Sequence, residues 1–271
     1  MEHNFHHSEK LPANELALSF LKKGVTQVTI GGTNAINSLY TVKQIYKGKF
    51  GDTDKETFLK AVIANFEGYG HIHTKCSRIA KFGNGDTKLN KPAGESMALV
   101  FTGIMQQKCY RTNSTYTGCF MPAIVIWVDR STCGKRVGAA PDGRVLGQAT
   151  VDSCGPMQGT DPKGQTSVTT ALSSPPKKCI STCVLNLRPD AANFKTAEST
   201  KKVQPLFETC FLQGGCQLQI NPVDPDTLPA AMADPNAYRD IIVRVGGFSD
   251  NFILLNKDIR QESIKRTQHN L

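Results

Sequence analysis

The chain has 271 residues, 39% hydrophobic and 20% charged, with a formal net charge of +9, which is an ordinary globular composition and enough length for one large domain or two small ones. No apolar run approaches the roughly 18 to 20 residues that a membrane-crossing helix needs. The polar, His-rich Met1–Lys10 has no apolar centre of the kind a secretion signal carries, so a cytoplasmic protein is expected. The positive charge is scattered, with Lys-Lys pairs at 22–23, 177–178 and 201–202 and no interleaved aromatic residues, and nucleic-acid binding is not expected.

In chain order, Pro12–Lys23 has a helical pattern that Gly24 stops, and VTQVTIGG is a short strand running into a glycine turn. Asn34–Lys47 places apolar residues at 35, 36, 39, 42, 45 and 46, the spacing of an amphipathic helix. Asp52, Thr53 or Asp54 can cap the next helix, expected to carry FLKAVIANFEGYGHI without a break. MALVFTGIM is a further apolar stretch, and MPAIVIWVD, 121–129, has the continuous apolar composition of a buried strand. From Cys133 to about Lys178 the chain is rich in Gly, Pro, Asp and Ser, and ordered loops are expected. CVLNLR is a strand, Thr196–Gln213 a helix ended by Gly214 and Gly215, and CQLQINPV a strand. A helix and turn follow over DPDTLPAAMADPNAYRD, then a strand, IIVRV, and a last amphipathic helix within LLNKDIRQESIKRTQ. Strands alternating with helices predict an α/β fold with a largely parallel sheet.

Most sites of known chemistry are missing. There is no phosphate-cradling GxxxxGK[ST] or GxGxxG and no GxSxG nucleophile turn. The nine cysteines are odd in number, contain no CxxC and suit free thiols in a reducing compartment. Cys179 and Cys183 are spaced CxxxC, but the third cysteine of an iron–sulfur cluster motif would fall where Asn186 stands. His71 and His73 point to different sides of a helix and would not chelate together, HNFHH suits a frayed terminus, and PDGR at 141–144 is a tight turn. No bound cofactor or metal is expected.

RVGGFSDNF, Arg244 to Phe252, is the stretch that ordinary folding does not explain: two glycines stand side by side at the end of a strand, where glycine costs stability. Together with LLNKDIRQESIKRTQH it resembles the signature of the glycyl radical enzymes, in which Arg, an aliphatic residue, a small residue, Gly, an aromatic and a small residue follow one another; here these are Arg244, Val245, Gly246, Gly247, Phe248 and Ser249. Other stretches resemble that family in the family's order: NFEGY ending at Tyr69, FGNGD at 82–86, GAAPDGR at 138–144, GPMQGTDPKGQTSV at 155–168, VLNLR at 184–188 and GGCQLQINPVDPDTL at 214–228. The resemblance implies the C-terminal part of a pyruvate formate-lyase-like α/β barrel carrying the glycyl radical loop, with 1–130 in the barrel domain and 131–271 in the glycine radical domain.

The same resemblance implies that Gly247 stores the radical. An unpaired electron on a backbone α-carbon is stabilised when that carbon flattens and shares the electron with the flanking amide groups, and glycine has no side chain to crowd the planar form. Gly246 then lets the loop approach its neighbours, Val245 and Phe248 pack to keep it from water and oxygen, Arg244 anchors it by hydrogen bonds, and the last helix clamps it with a solvated polar face. The radical is installed by a separate S-adenosylmethionine-dependent iron–sulfur activating enzyme. The cysteine that becomes a thiyl radical lies upstream of this chain, in a missing N-terminal portion or on a partner; Cys119 is a look-alike in other surroundings. A homo-oligomer is expected, with room for small accessory subunits and no nucleic-acid or membrane partner. Gly-Gly-Phe places the chain nearest the fumarate-adding branch, the benzylsuccinate and alkylsuccinate synthases. The alternatives are a dehydratase or a C–C or C–N lyase, or a stand-alone radical domain with no turnover of its own. RPDAANF after VLNLR departs from the family's usual pattern.

Overall fold

A computed structural model describes residues 24–28, 30–85, 87–106, 108–110, 117–128, 130–172, 180, 182–222, 224 and 226–265. The helix expected over Pro12–Lys23 lies outside these residues. The main sheet is formed by β1 (Gly24–Val28), β2 (Lys108–Tyr110), β3 (Thr117–Ile124), β4 (Thr182–Leu187) and β5 (Gln217–Ile220). β1, β3, β4 and β5 are parallel in that order, with Gly24 opposite Cys119, Ala123 opposite Thr182 and Val184 opposite Gln217. β2 is antiparallel to the start of β3. The largely parallel sheet read from the sequence is therefore present. β3 begins before the apolar run at 121–129 and ends at Ile124, where its ladder with β4 ends. Ile126 remains buried beyond it, so composition registers burial where no ladder exists.

The helices follow from caps and periodicity. α1 (Gly32–Tyr46) covers the predicted span. Of the three candidate caps before α2 (Lys55–Ile63), Asp54 does the capping: its carboxylate accepts from Thr57 N at 2.8 Å and Thr57 Oγ1 at 2.7 Å. The predicted unbroken helix over FLKAVIANFEGYGHI is corrected here. It stops at Ile63, and a turn with Asn65 and Phe66 at φ 54° and 60° leads to α3 (Gly70–Arg78). The turn places Phe66 in an apolar cluster with Phe50, Phe58, Ile72 and Cys76.

α4 (Thr87–Met105) contains the MALVFTGIM stretch. Two short helices, α5 (Arg130–Arg136) and α6 (Gln165–Ala171), interrupt the region expected to be loops. α7 (Ala197–Leu212) lies within the predicted Thr196–Gln213 span and begins at a reciprocal Thr196–Ser199 capping box. The central core packs Ile36, Met97 and Phe101 from α1 and α4 against Ile124, Leu185 and Leu187 of the sheet, with Val168 and Cys210 from α6 and α7. The sheet and this core both run across residue 130. PDGR is a turn, with Gly143 N donating to Ala140 O at 3.0 Å. It is held from inside: buried Asp142 accepts from Asn34 Nδ2 at 2.8 Å and Arg144 N at 3.0 Å, while the Arg144 guanidinium donates to the carbonyls of Val137, Gly138, Val145 and Gln148.

Candidate functional site: the glycine hairpin

After α8 (Thr227–Ala233) the chain forms β6 (Ile242–Arg244) and β7 (Ser249–Asn251), an antiparallel pair with Ile242 opposite Asn251 and Arg244 opposite Ser249. RVGGFSDNF is thus a hairpin followed by a 3-10 turn (Phe252–Leu254), not a strand leading through a turn into a helix. The loop is Val245-Gly246-Gly247-Phe248, closed by Val245 N donating to Phe248 O at 3.0 Å. Val245 is buried in an apolar cluster with Leu228, Ala231, Val243, Phe252 and Leu255, against which Ile259 and Ile264 of α9 (Lys257–Lys265) also pack.

The two glycines have different reasons to be glycine. A Cβ on Gly246 would stand 2.6 Å from Ile126 Cγ2 and 3.1 Å from Val128 Cγ2, so the missing side chain lets the hairpin lie against the segment that follows β3. A Cβ on Gly247 would meet nothing within 4 Å, but its φ of +73° is a left-handed conformation that favours glycine. Gly246 is buried and Gly247 exposed. Phe248, expected to pack over the loop, is 45% exposed in this chain. Val245 is the last buried side chain before the turn, and Phe248 follows the exposed Gly247.

Arg244 ties this tip to the sheet. Its Nη2 donates to Gly247 O at 2.9 Å, Nη1 to Ser249 Oγ at 3.3 Å and Nε to Gln219 Oε1 at 3.3 Å. Gln219 lies in β5 and is buried. Asn221, just past β5, donates from its side chain to Arg244 O at 3.5 Å and from its backbone to Leu187 O at 3.0 Å. The glycine tip therefore sits beyond the carboxyl ends of β3 and β5, the end at which open α/β sheets bind ligands.

The solvated polar face expected for the last helix is also corrected. Glu262 and Ser263 are buried. Glu262 pairs with buried Arg130, which also faces Asp152 at 3.6 Å, and Ser263 O accepts from Arg188 Nη1 at 2.6 Å. Asp152 in turn accepts from Asn186 Nδ2 at 2.7 Å. Lys135 and Asp258 form an exposed pair at 2.6 Å, which draws the Asp258 carboxyl below its usual range. Sequence reasoning missed Arg130, Glu262 and Gln219, because a single polar or charged residue within a strand or helix carries no periodic signal. A cavity of about 70 Å³ lies at the end of β4 among Arg130, Asp152, Asp161, Asn186 and Arg188, and one of about 340 Å³ between α5 and α9; Gly247 lines neither.

Cys76 is buried, and desolvation raises its thiol to about 11. Cys154 is buried and pushed up, first by desolvation and then by its hydrogen bond with Cys183; its Sγ donates to Val184 O at 2.7 Å. Neither environment favours a thiolate. Cys119 lies in β3 opposite Gly24. His73 Nε2 donates to Gly143 O at 2.9 Å, and His71 is exposed, so the two do not converge. Among the described residues no three His, Cys, Asp or Glu side chains come together as a metal site, and no helix is long and apolar enough to cross a membrane.

Two family models match the chain: glycine radical over residues 151–253 and pyruvate formate lyase-like over residues 21–125. This is a chain of the glycyl radical enzyme family, in the pyruvate formate-lyase-like superfamily. The glycine hairpin falls inside the first match. Trans-4-hydroxy-L-proline dehydratase of Clostridioides difficile is 29% identical over 223 residues, which is 79% of this chain and 27% of that protein. The glycerol-bound B12-independent glycerol dehydratase of Clostridium butyricum superposes with a TM-score of 0.83 at 27% identity, covering 92% of this chain and 31% of that one. The hydroxyproline dehydratase structure from Clostridioides difficile gives a TM-score of 0.79 at 26% identity, covering 91% and 31%. The chain spans less than a third of the length of these relatives. Their fold bears out the expected α/β architecture of a glycyl radical enzyme barrel. They are dehydratases, and the expected fumarate-adding branch finds no support among them. That expectation leaned on the first glycine of the pair, and contact with Ile126 accounts for Gly246 without reference to substrate.

Proposed function

We propose that this chain is the radical-storing part of a glycyl radical dehydratase, with the unpaired electron on Gly247. The observation that carries the reading is the division of labour in the hairpin: Gly246 is glycine for packing, whereas Gly247 is held at an open tip by Arg244 with free space about its α-carbon. A separate activating enzyme, using S-adenosylmethionine and an iron–sulfur cluster, removes one hydrogen atom from that carbon. The radical passes to a cysteine thiol outside this chain, and the thiyl radical takes a hydrogen atom from a small hydroxylated substrate, which then loses water. The dehydratase relatives support a hydroxylated substrate over a hydrocarbon. The exposure of Gly247 and Phe248 fits a tip that the remaining two thirds of such an enzyme would cover.

The test is anaerobic activation followed by electron paramagnetic resonance. A doublet from the single remaining α-hydrogen is expected in the wild type and absent in Gly247→Ala. Subsequent exposure to air is expected to cut the backbone at Gly247 and release the 24 residues that follow it (271 − 247). A chain left whole and without signal, in a reaction that activates a dehydratase control, refutes the assignment. The same activated chain, alone, is expected to turn over neither glycerol nor hydroxyproline, because the hydrogen-abstracting cysteine is elsewhere.

A further inference from the structure

Arg244 does more at this site than hold the turn. Its Nη2 meets the carbonyl oxygen of Gly247 itself at 2.9 Å, and its other two donor groups are occupied by Ser249 Oγ and the buried Gln219 Oε1, each at 3.3 Å. Gln219 is anchored in β5 and Asn221 holds the Arg244 carbonyl, so the guanidinium plane is set by the sheet together with its two bonds to the hairpin. The fork is therefore in place before any radical exists.

An α-carbon radical draws on both of its neighbours. The lone pair of the Gly247 amide nitrogen is donated toward the carbon, the Gly247 carbonyl accepts electron density from it, and negative charge grows on that oxygen as the carbon flattens. A cation already hydrogen-bonded to the oxygen stabilises the delocalised form more than the closed-shell glycine, and costs no reorganisation when the hydrogen atom leaves. The glycine supplies free space, and the arginine supplies charge where charge develops. We infer that Arg244 is a positioning residue that tunes the Gly247 radical through the Gly247 carbonyl, with Gln219 fixing its orientation. This rests on the reading of Gly247 as the radical site. The step involved is one homolysis: the Gly247 Cα–H bond breaks, the hydrogen atom forms a C–H bond on the carbon radical that the activating enzyme derives from S-adenosylmethionine, and the unpaired electron remains on Gly247 with no change in net charge.

The experiment compares wild type, Arg244→Gln, Arg244→Lys and Gln219→Leu, each activated without oxygen and followed by electron paramagnetic resonance. Arg244→Gln is expected to change the doublet splitting and shorten the anaerobic lifetime of the signal by about tenfold, the change produced by losing one charge-assisted bond's preference for the radical. Lysine keeps the charge without the fork and is expected to fall between, and Gln219→Leu is expected to move the splitting in the same direction by less. The Gly247 carbonyl resonance of [1-13C]glycine-labelled protein, read before activation, checks that each variant has altered this hydrogen bond while keeping the hairpin folded. A wild-type doublet with the same splitting and lifetime in Arg244→Gln and Arg244→Lys overturns the role of Arg244 and leaves Gly247 standing as the radical site. No doublet in the wild type, beside an activated dehydratase control, overturns both.

Discussion

Substituting Gly246 by alanine tests the claim that this glycine exists for packing. The new methyl group would lie 2.6 Å from Ile126 Cγ2 and 3.1 Å from Val128 Cγ2, about 1 Å inside an ordinary carbon–carbon contact of roughly 3.5–4.0 Å. Both neighbours belong to the chain leaving β3, and Ile126 is buried, so the hairpin has to lift or Ile126 has to change rotamer. Overpacking of this kind costs about 1–3 kcal/mol, against which alanine returns roughly 0.4–1 kcal/mol by restricting the unfolded chain, leaving a net loss of about 1–2 kcal/mol. For a chain of this size that is a fall of roughly 2–8 °C in melting temperature. Gly247→Ala meets no atom within 4 Å, and its penalty of about 1–2 kcal/mol comes from the left-handed backbone alone. The two are separated by a second substitution. Ile126→Leu removes the offending Cγ2 methyl at nearly constant volume, and urea unfolding of the four-member cycle should show a coupling of about 1 kcal/mol with Gly246→Ala and close to none with Gly247→Ala. Additive effects for Gly246→Ala and Ile126→Leu would refute the packing account.

Three more perturbations probe the frame around the hairpin. Glu262→Ala strands the buried Arg130, and because Asp152 remains at 3.6 Å the loss should sit near the lower end of the range for a broken buried pair, about 3 kcal/mol by urea unfolding; faster amide exchange in α9 would place it. Cys76 supplies a pH test. Its thiol ionises at about 11 in the fold, against 9.0 as the ordinary value, so the unfolded chain releases a proton that the folded chain keeps, and stability falls as pH rises through 9 toward 11. Buried Lys81 has its pKa lowered by desolvation and acts in the opposite sense. The difference between wild type and Cys76→Ala carries the thiol together with its charge coupling to Lys81, and equal slopes for the two proteins would count against a raised thiol. Thr196→Ala opens the capping box of α7 and should cost about 1 kcal/mol, read as a lower urea midpoint at unchanged m-value.

The ordered stretches that resembled the family by sequence prove to be neighbours in space, which explains why they read as a set. Asn65 of NFEGY accepts from Leu146 N at 2.7 Å, just past GAAPDGR. His73 reaches Gly143 within GAAPDGR, and Asn186 of VLNLR reaches Asp152 beside GPMQG. Gln219 and Asn221 of QLQIN hold Arg244. Polar atoms in or beside these stretches are satisfied by residues far along the chain, so their residue types are constrained by hydrogen bonding as well as by burial.

Local and near-local physics was legible in the amino-acid sequence. The spacing of Ile36, Leu39, Val42 and Ile45 predicts α1, the helical pattern over Thr196–Gln213 predicts α7, and the apolar run VLNL predicts a strand. The glycine pair announced itself because two residues without side chains are an expense that packing inside a strand cannot justify. Tertiary structure decided what depends on residues far apart. It broke the helix at Ile63 and placed Phe66 in the second core, and it turned a charged last helix inward, because Arg130 and Arg188, more than 70 residues upstream, wait there for Glu262 and for the Ser263 carbonyl. It also assigned the glycines their separate reasons: Gly246 is fixed by Ile126, 120 positions earlier, and Gly247 by a backbone angle that only the closed hairpin imposes. Periodicity reports which face of an element is apolar, and only the assembled fold reports which polar atom or methyl group that face will meet.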